Sequence, residues 1–204
     1  MRHATTLLTA IILAVFVITS NAQSIPAPDF QYKIMGVKED NTLFSLDKTM
    51  MAVKDNAHSL FGSVNTVRAL SGKTKVYMTA EGAHAKVVQT GKATDKYIIS
   101  IPPNEDPEDL IELFAFDEIK KKERIFDYAH ITLGVAVNNK KASEDNSIPI
   151  VLKKQSDGVY VITTKEPLAE GEYFFKINGA KGTGKMSDAA NGNSITAFCF
   201  SVGS

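Results

Sequence analysis

From Phe30 onward the apolar residues recur with period two, or in short runs closed by Gly, Asn, Asp or Pro, and this alternation constrains the fold more than any other feature. Successive side chains of a strand point to opposite faces, so the pattern predicts half-buried strands rather than helices. Twelve segments carry it: Phe30 to Val37, Thr42 to Leu46, Met50 to Val53, Val64 to Leu70, Lys75 to Ala80, Lys96 to Ile101, Leu110 to Asp117, Arg124 to Thr132, Ile148 to Lys153, Val159 to Thr163, Glu172 to Ile177 and Thr196 to Val202. Between them stand turn signals such as Lys38-Glu39-Asp40-Asn41, Ser71-Gly72-Lys73, Ser156-Asp157-Gly158 and Ala169-Glu170-Gly171, where Gly or Asn takes a positive φ at little cost. The expectation is an all-β antiparallel sandwich of about 10–12 short strands.

Helix is scarce. Asn104 to Asp109, with Pro107 among acidic residues, suits one helical turn. Pro102-Pro103 and the acidic stretch after them form the sharpest change of composition, a sub-boundary near 102–109. Two halves of that size would each need a closed core of their own, so one domain over 23–204, with this segment crossing between sheets, is the simpler expectation. Leu110 to Phe116 is expected to reverse at Glu118 to Lys122 and return as Arg124 to Tyr128. Lys120-Lys121-Lys122 at that tip reads as a solvated turn, because Asp117, Glu118 and Glu123 flank it.

The first 22 residues read as an address. Arg2 precedes an apolar stretch from Leu7 to Ile18, and Ser20-x-Ala22 offers small side chains for cleavage after Ala22. About 12 apolar residues rise only about 18 Å as a helix, short of the roughly 30 Å of a bilayer core, so a signal peptide is expected and no transmembrane anchor in the mature chain. The mature chain is then exported, to the periplasm or the exterior. Without Arg2 the 23 basic residues become 22 against 23 acidic ones, which gives no electrostatic footprint for a nucleic-acid partner. Cys199 is the one cysteine, so no internal disulfide forms. Between Phe198 and Phe200 it reads as a buried thiol rather than a nucleophile.

The motifs that could carry chemistry are weak. Gly179-Ala180-Lys181-Gly182-Thr183-Gly184-Lys185 fits a phosphate-cradling loop, but Met186 stands where a hydroxyl must reach magnesium and Ser187 comes one residue late. The loop reads instead as a Gly- and Asn-rich connection. His58, His84 and His130 lack the close spacing of metal ligands. No nucleophile elbow is present, and Glu105, Asp106, Glu108 and Asp109 read as solvated charges beside Pro107 rather than as a hydrolytic pair. No catalytic, cofactor-binding or metal residue is assigned, and no cofactor.

Pro167-Leu168-Ala169-Glu170-Gly171-Glu172-Tyr173-Phe174-Phe175, with the later Phe198-Cys199-Phe200-Ser201-Val202, resembles the end of uncharacterised exported bacterial domains of the Bacteroidota type. Those domains close with Leu-x-x-Gly-Glu-Tyr-x-Phe and a final Phe-x-Phe-x-Val strand. Gly82-Ala83-His84-Ala85 and Arg124-Ile125-Phe126 are similar to earlier segments of the same domains. The resemblance implies a secreted or periplasmic β-sandwich and brings no catalytic residues. The motif also explains itself physically: Tyr173 and Phe175 share one strand face, Phe174 takes the other, and Phe198 and Phe200 share a face on the returning strand.

These readings converge on an exported, non-catalytic binding or interaction module of the cell envelope, with an envelope protein or glycan as partner. One alternative is a hydrolase or metal-dependent enzyme whose site is assembled in space from His58, His84 or His130 and carboxylates. Another is an adhesin or assembly subunit that uses its edge strands.

Overall fold

The computed structural model describes residues 24–55, 73–90, 96–132, 138–141, 147–178 and 195–203. Within them the chain is all-β, two antiparallel sheets packed face to face, with a single helical turn. The strands are β1 (Met35–Val37), β2 (Leu43–Ser45), β3 (Asp47–Asp55), β4 (Lys73–Glu81), β5 (Val88–Thr90), β6 (Lys96–Ser100), β7 (Ile111–Ala115), β8 (Glu118–Ile119), β9 (Glu123–Thr132), β10 (Asn138–Lys141), β11 (Ile150–Ser156), β12 (Val159–Thr164), β13 (Gly171–Ile177) and β14 (Ile195–Gly203). The turn α1 (Pro107–Leu110) starts where Asp106 accepts a hydrogen bond from the Glu108 backbone N–H. Among the described residues no helix is long and apolar enough to cross a membrane. The expected signal peptide, the expected strand at Val64 to Leu70 and the loop from Gly179 to Asn193 lie outside the described residues.

The smaller sheet has the order β11-β12-β6-β1-β2. The larger one runs β10-β9-β4-β3-β14-β13-β7, with β8 on β9 and β5 lying parallel to the end of β14. Residues 101–110 lead from β6 in the first sheet through α1 to β7 in the second.

The expected hairpin between Leu110 and Tyr128 needs correction. β7 pairs with β13 up to Ala115↔Tyr173, and the Phe116 N–H then bonds the Glu172 carbonyl. One residue later the Asp117 N–H bonds the Ile125 carbonyl, and β8 pairs with β9. The strand thus passes from one neighbour to the other, which closes a circuit of pairings β9-β4-β3-β14-β13-β7/β8. The hairpin itself is only the short β8–β9 turn, closed by Lys120 N–H to the Glu123 carbonyl. Lys120, Lys121 and Lys122 are exposed there, as a solvated turn requires.

Two cores follow from strand alternation. Tyr173, Phe175, Phe198 and Phe200 face the smaller sheet and pack with its Tyr97, Ile99 and Ile162 and with Ile34, just before β1. Tyr97 sits edge-on to Phe175, with ring centroids 4.7 Å apart. Phe174 and Cys199 face the other way, into the curl of the larger sheet, with Met51, Met78, Phe114 and Phe126. Phe114 of β7 and Phe126 of β9 touch with centroids 4.9 Å apart although four strands lie between β9 and β7 by the long way round, so the curled sheet is filled by its own side chains. The face assignments read from the closing motif hold in every position named.

Candidate functional site

The inward face of β13 carries Glu172, Phe174 and Lys176, a charge on each side of an aromatic. Lys176 is buried and bonds Glu112 of the neighbouring β7 at 2.6 Å, and Asn178 donates to the same carboxylate oxygen at 2.8 Å. At the other end Glu172 is buried among donors from three other parts of the chain. Its Oε2 accepts from Arg124 Nη1 of β9 at 3.3 Å and from the Ala85 backbone N–H at 2.9 Å. Its Oε1 accepts from Ser201 Oγ of β14 at 2.5 Å and lies 2.9 Å from His84 Nδ1, which the network assigns as the protonated nitrogen.

Local sequence sets this convergence. Gly171 opens β13, and the Tyr173 hydroxyl reaches back to the Ala169 carbonyl at 2.8 Å, fixing the turn before Glu172. Burial raises the Tyr173 pKa and keeps the hydroxyl a donor. Gly82 takes φ +84°, and its N–H bonds the Lys122 carbonyl, which turns the chain after β4 so that His84 and Ala85 meet the carboxylate. Arg124 has no exposed surface. It also donates from Nη2 to the Glu81 carbonyl at 3.1 Å and lies 5.1 Å from the centre of the Phe116 ring.

The arrangement saturates the carboxylate. An ionised carboxylate has about four lone-pair sites, and the four donors fill them. It also lacks the order of a hydrolytic triad. There an imidazole stands between the nucleophile and the acid, whereas here the carboxylate stands between Ser201 and His84. Ser201 is buried and gives its proton to an oxygen with no remaining base to activate it.

Of the network's members His84 is the one open to solvent, with 72% of its side chain exposed. It borders a cleft of about 490 Å³ lined also by Asp47, Lys48, Glu81 and Lys86, a wall of mixed charge. His130 stands in β9 opposite Lys75 and Lys140, six residues from Arg124 and so about 20 Å along the strand from the His84 region. His58 lies outside the described residues. Glu105 accepts from the Tyr32 hydroxyl at 2.7 Å, Asp106 caps α1, and Glu108 and Asp109 are exposed. Among the described residues no three His, Cys, Asp or Glu side chains gather as metal ligands would. Cys199 is buried, and burial pushes its thiol up to about 12, which the Arg124 guanidinium only partly offsets.

The sequence reading did not single out Glu172 and Arg124. The signal was a charge at the inward parity of an apolar strand: Glu172 and Lys176 alternate in phase with Phe174, and Arg124 with Phe126. The network draws His84 and Ala85 from the turn after β4, Arg124 from β9, Glu172 from β13 and Ser201 from β14. Comparison with protein-family models, curated proteins and solved structures finds no match.

Proposed function

We propose that the chain is an exported, non-catalytic binding or interaction module of a bacterial cell envelope, working in the periplasm or outside the cell as one domain over 23–204 after cleavage behind Ala22. The observation that carries this reading is the saturation of Glu172. The buried constellation that looks most like an active site spends all its acceptor capacity on its own chain, which makes it a clamp between strands and leaves the outer surfaces for function. The partner is an envelope protein or glycan.

A narrower form, an assembly subunit acting through an edge strand, is favoured by β11, which ends the smaller sheet. Cross-linking of tagged protein in its native envelope tests both forms. A reproducible protein or glycan partner is the expected result, and a protein partner favours the assembly role. Saturable turnover of an envelope glycan, peptide or phosphoester by the purified protein would overturn the module reading.

A further inference from the structure

The outer face of the smaller sheet, turned away from the core between the sheets, carries an apolar patch inside a basic rim. Pairing registers place Val151, Thr163 and Lys96 in one row across β11, β12 and β6, and Lys153, Val161 and Ile98 in the next. Val37, Ile98 and Val159 are buried on this face with Ile25 packed against them. Beside them runs a groove of about 480 Å³, whose lining includes Ile25, Val151, Val161, Lys96, Lys153 and Lys154 and no acidic residue.

Among the described residues the backbone at this groove is an open edge. The Lys165 N–H bonds the Pro149 carbonyl, so 149 and 165 form a hydrogen-bonded pair of the antiparallel ladder. Such pairs recur every second residue, so Val151 and Lys153 direct their backbone groups at β12, and Ile150, Leu152 and Lys154 direct theirs outward. No described strand lies beyond them.

We propose that this edge takes an extended acidic segment of a partner protein as an additional strand. The inference rests on the interaction-module reading and names its surface. Backbone groups of Ile150, Leu152 and Lys154 supply the ladder, Val151 offers an apolar contact, and Lys153 an ion pair across the outer face. The charges select against a second copy of this chain. A two-fold β11–β11 pairing centred near the middle of the strand brings Lys153 and Lys154 of both copies together, the usual protection of an edge. An acidic strand meets no such repulsion. Asp157 holds Lys154 at 3.0 Å, which leaves Lys153 as the cation beside the partner strand, with Lys96 two strands further in on the same face.

The test titrates the purified, ¹⁵N-labelled protein with a capped peptide of alternating Val and Glu, with the same peptide carrying Lys for Glu, and with vesicles of anionic lipid. The expected result is saturable binding of the acidic peptide, with amide shifts and new exchange protection at Ile150, Leu152 and Lys154. Lys153→Glu should weaken it by roughly tenfold or more. Lys154→Pro removes an outward donor and should abolish it, its melting temperature reporting whether the fold is kept. Lys153→Glu, at an exposed position, gives the answer if the proline variant unfolds. Absence of saturable binding, equal binding of the Lys peptide, shifts confined to other strands, or binding to vesicles alone each overturns the proposal. A captured envelope partner together with a silent β11 overturns this inference and leaves the module reading standing, whereas turnover by the protein overturns that reading.

Discussion

Arg124 and Glu172 meet at 3.3 Å inside the curled sheet, with 0% and 3% of their side chains exposed. Burial of two charges is costly. It is offset here by their mutual attraction and by the remaining donors that complete the carboxylate, and it ties β9, β13, β14 and the turn after β4 together. Removing one partner strands the other charge. Arg124→Ala is therefore expected to lower the unfolding free energy by about 3–5 kcal/mol. Combining Arg124→Met with Glu172→Leu should cost clearly less than the two single changes added. Urea unfolding at pH 7 of the four proteins in the cycle checks this, and additive losses would show that the pair is not coupled.

The two donors on Oε1 differ in exposure, and so should their contributions. Ser201 is buried, so Ser201→Ala removes a hydrogen bond to a charge that water cannot replace, worth about 1.5–3 kcal/mol. His84 is open to solvent, and His84→Ala should cost under about 1 kcal/mol, with the difference shrinking in high salt. Denaturant midpoints of both variants at low and high salt decide the matter. A His84→Ala loss as large as that of Ser201→Ala would return this histidine to the candidates for a central role.

What the sequence disclosed follows from the range of each interaction. Alternation along one strand is local, and it located the closing strands and every face of Tyr173, Phe174, Phe175, Phe198 and Phe200. The turns at Asn41 and Gly158, where φ is +63° and +69°, were equally local. Short strands with few apolar residues were not legible: β5, β8 and β10 are defined by their pairing partners rather than by a pattern of their own. The same reason hid the switch at Phe116, since a strand's sequence does not state which neighbour it bonds. The Glu172 network was half visible. Its parity was readable, but the meeting of His84, Arg124, Glu172 and Ser201 spans 117 residues of chain and depends on the sheet curling.

Gly36 and Phe44 face each other across β1 and β2, and a Cβ on Gly36 would lie 2.0 Å from the Phe44 ring. The ring occupies the space that a side chain would take, an arrangement by which aromatics cover strand glycines. Gly36→Ala should therefore cost about 1–3 kcal/mol through overpacking, despite the better strand propensity of alanine. Adding Phe44→Ala removes the clash, so the double variant should be more stable than the sum of the single changes predicts. Thermal or urea unfolding of the cycle tests this, and strict additivity would mean the ring moves aside freely.

Cys199 offers a test of burial through pH. Its thiol is raised from 9.0 to about 12 in the folded chain, first of all by burial. A raised pKa means that the folded state keeps its proton longer than the unfolded one. The stabilisation is thus fully present below about pH 9 and is lost progressively as pH rises through 12. Between those limits the slope from this group approaches about 1.4 kcal/mol per pH unit. Cys199→Ala leaves a small cavity and lowers stability at neutral pH, but it removes the slope. Lysines and tyrosines titrate in the same range in both proteins, so the difference between the two stability curves isolates the thiol. Urea unfolding at intervals from pH 8 to 11 should show the wild-type curve falling more steeply above pH 9, with the two converging. Parallel curves would mean that the thiol reaches solvent, and rapid labelling of the native protein by a thiol reagent at pH 8 would say the same.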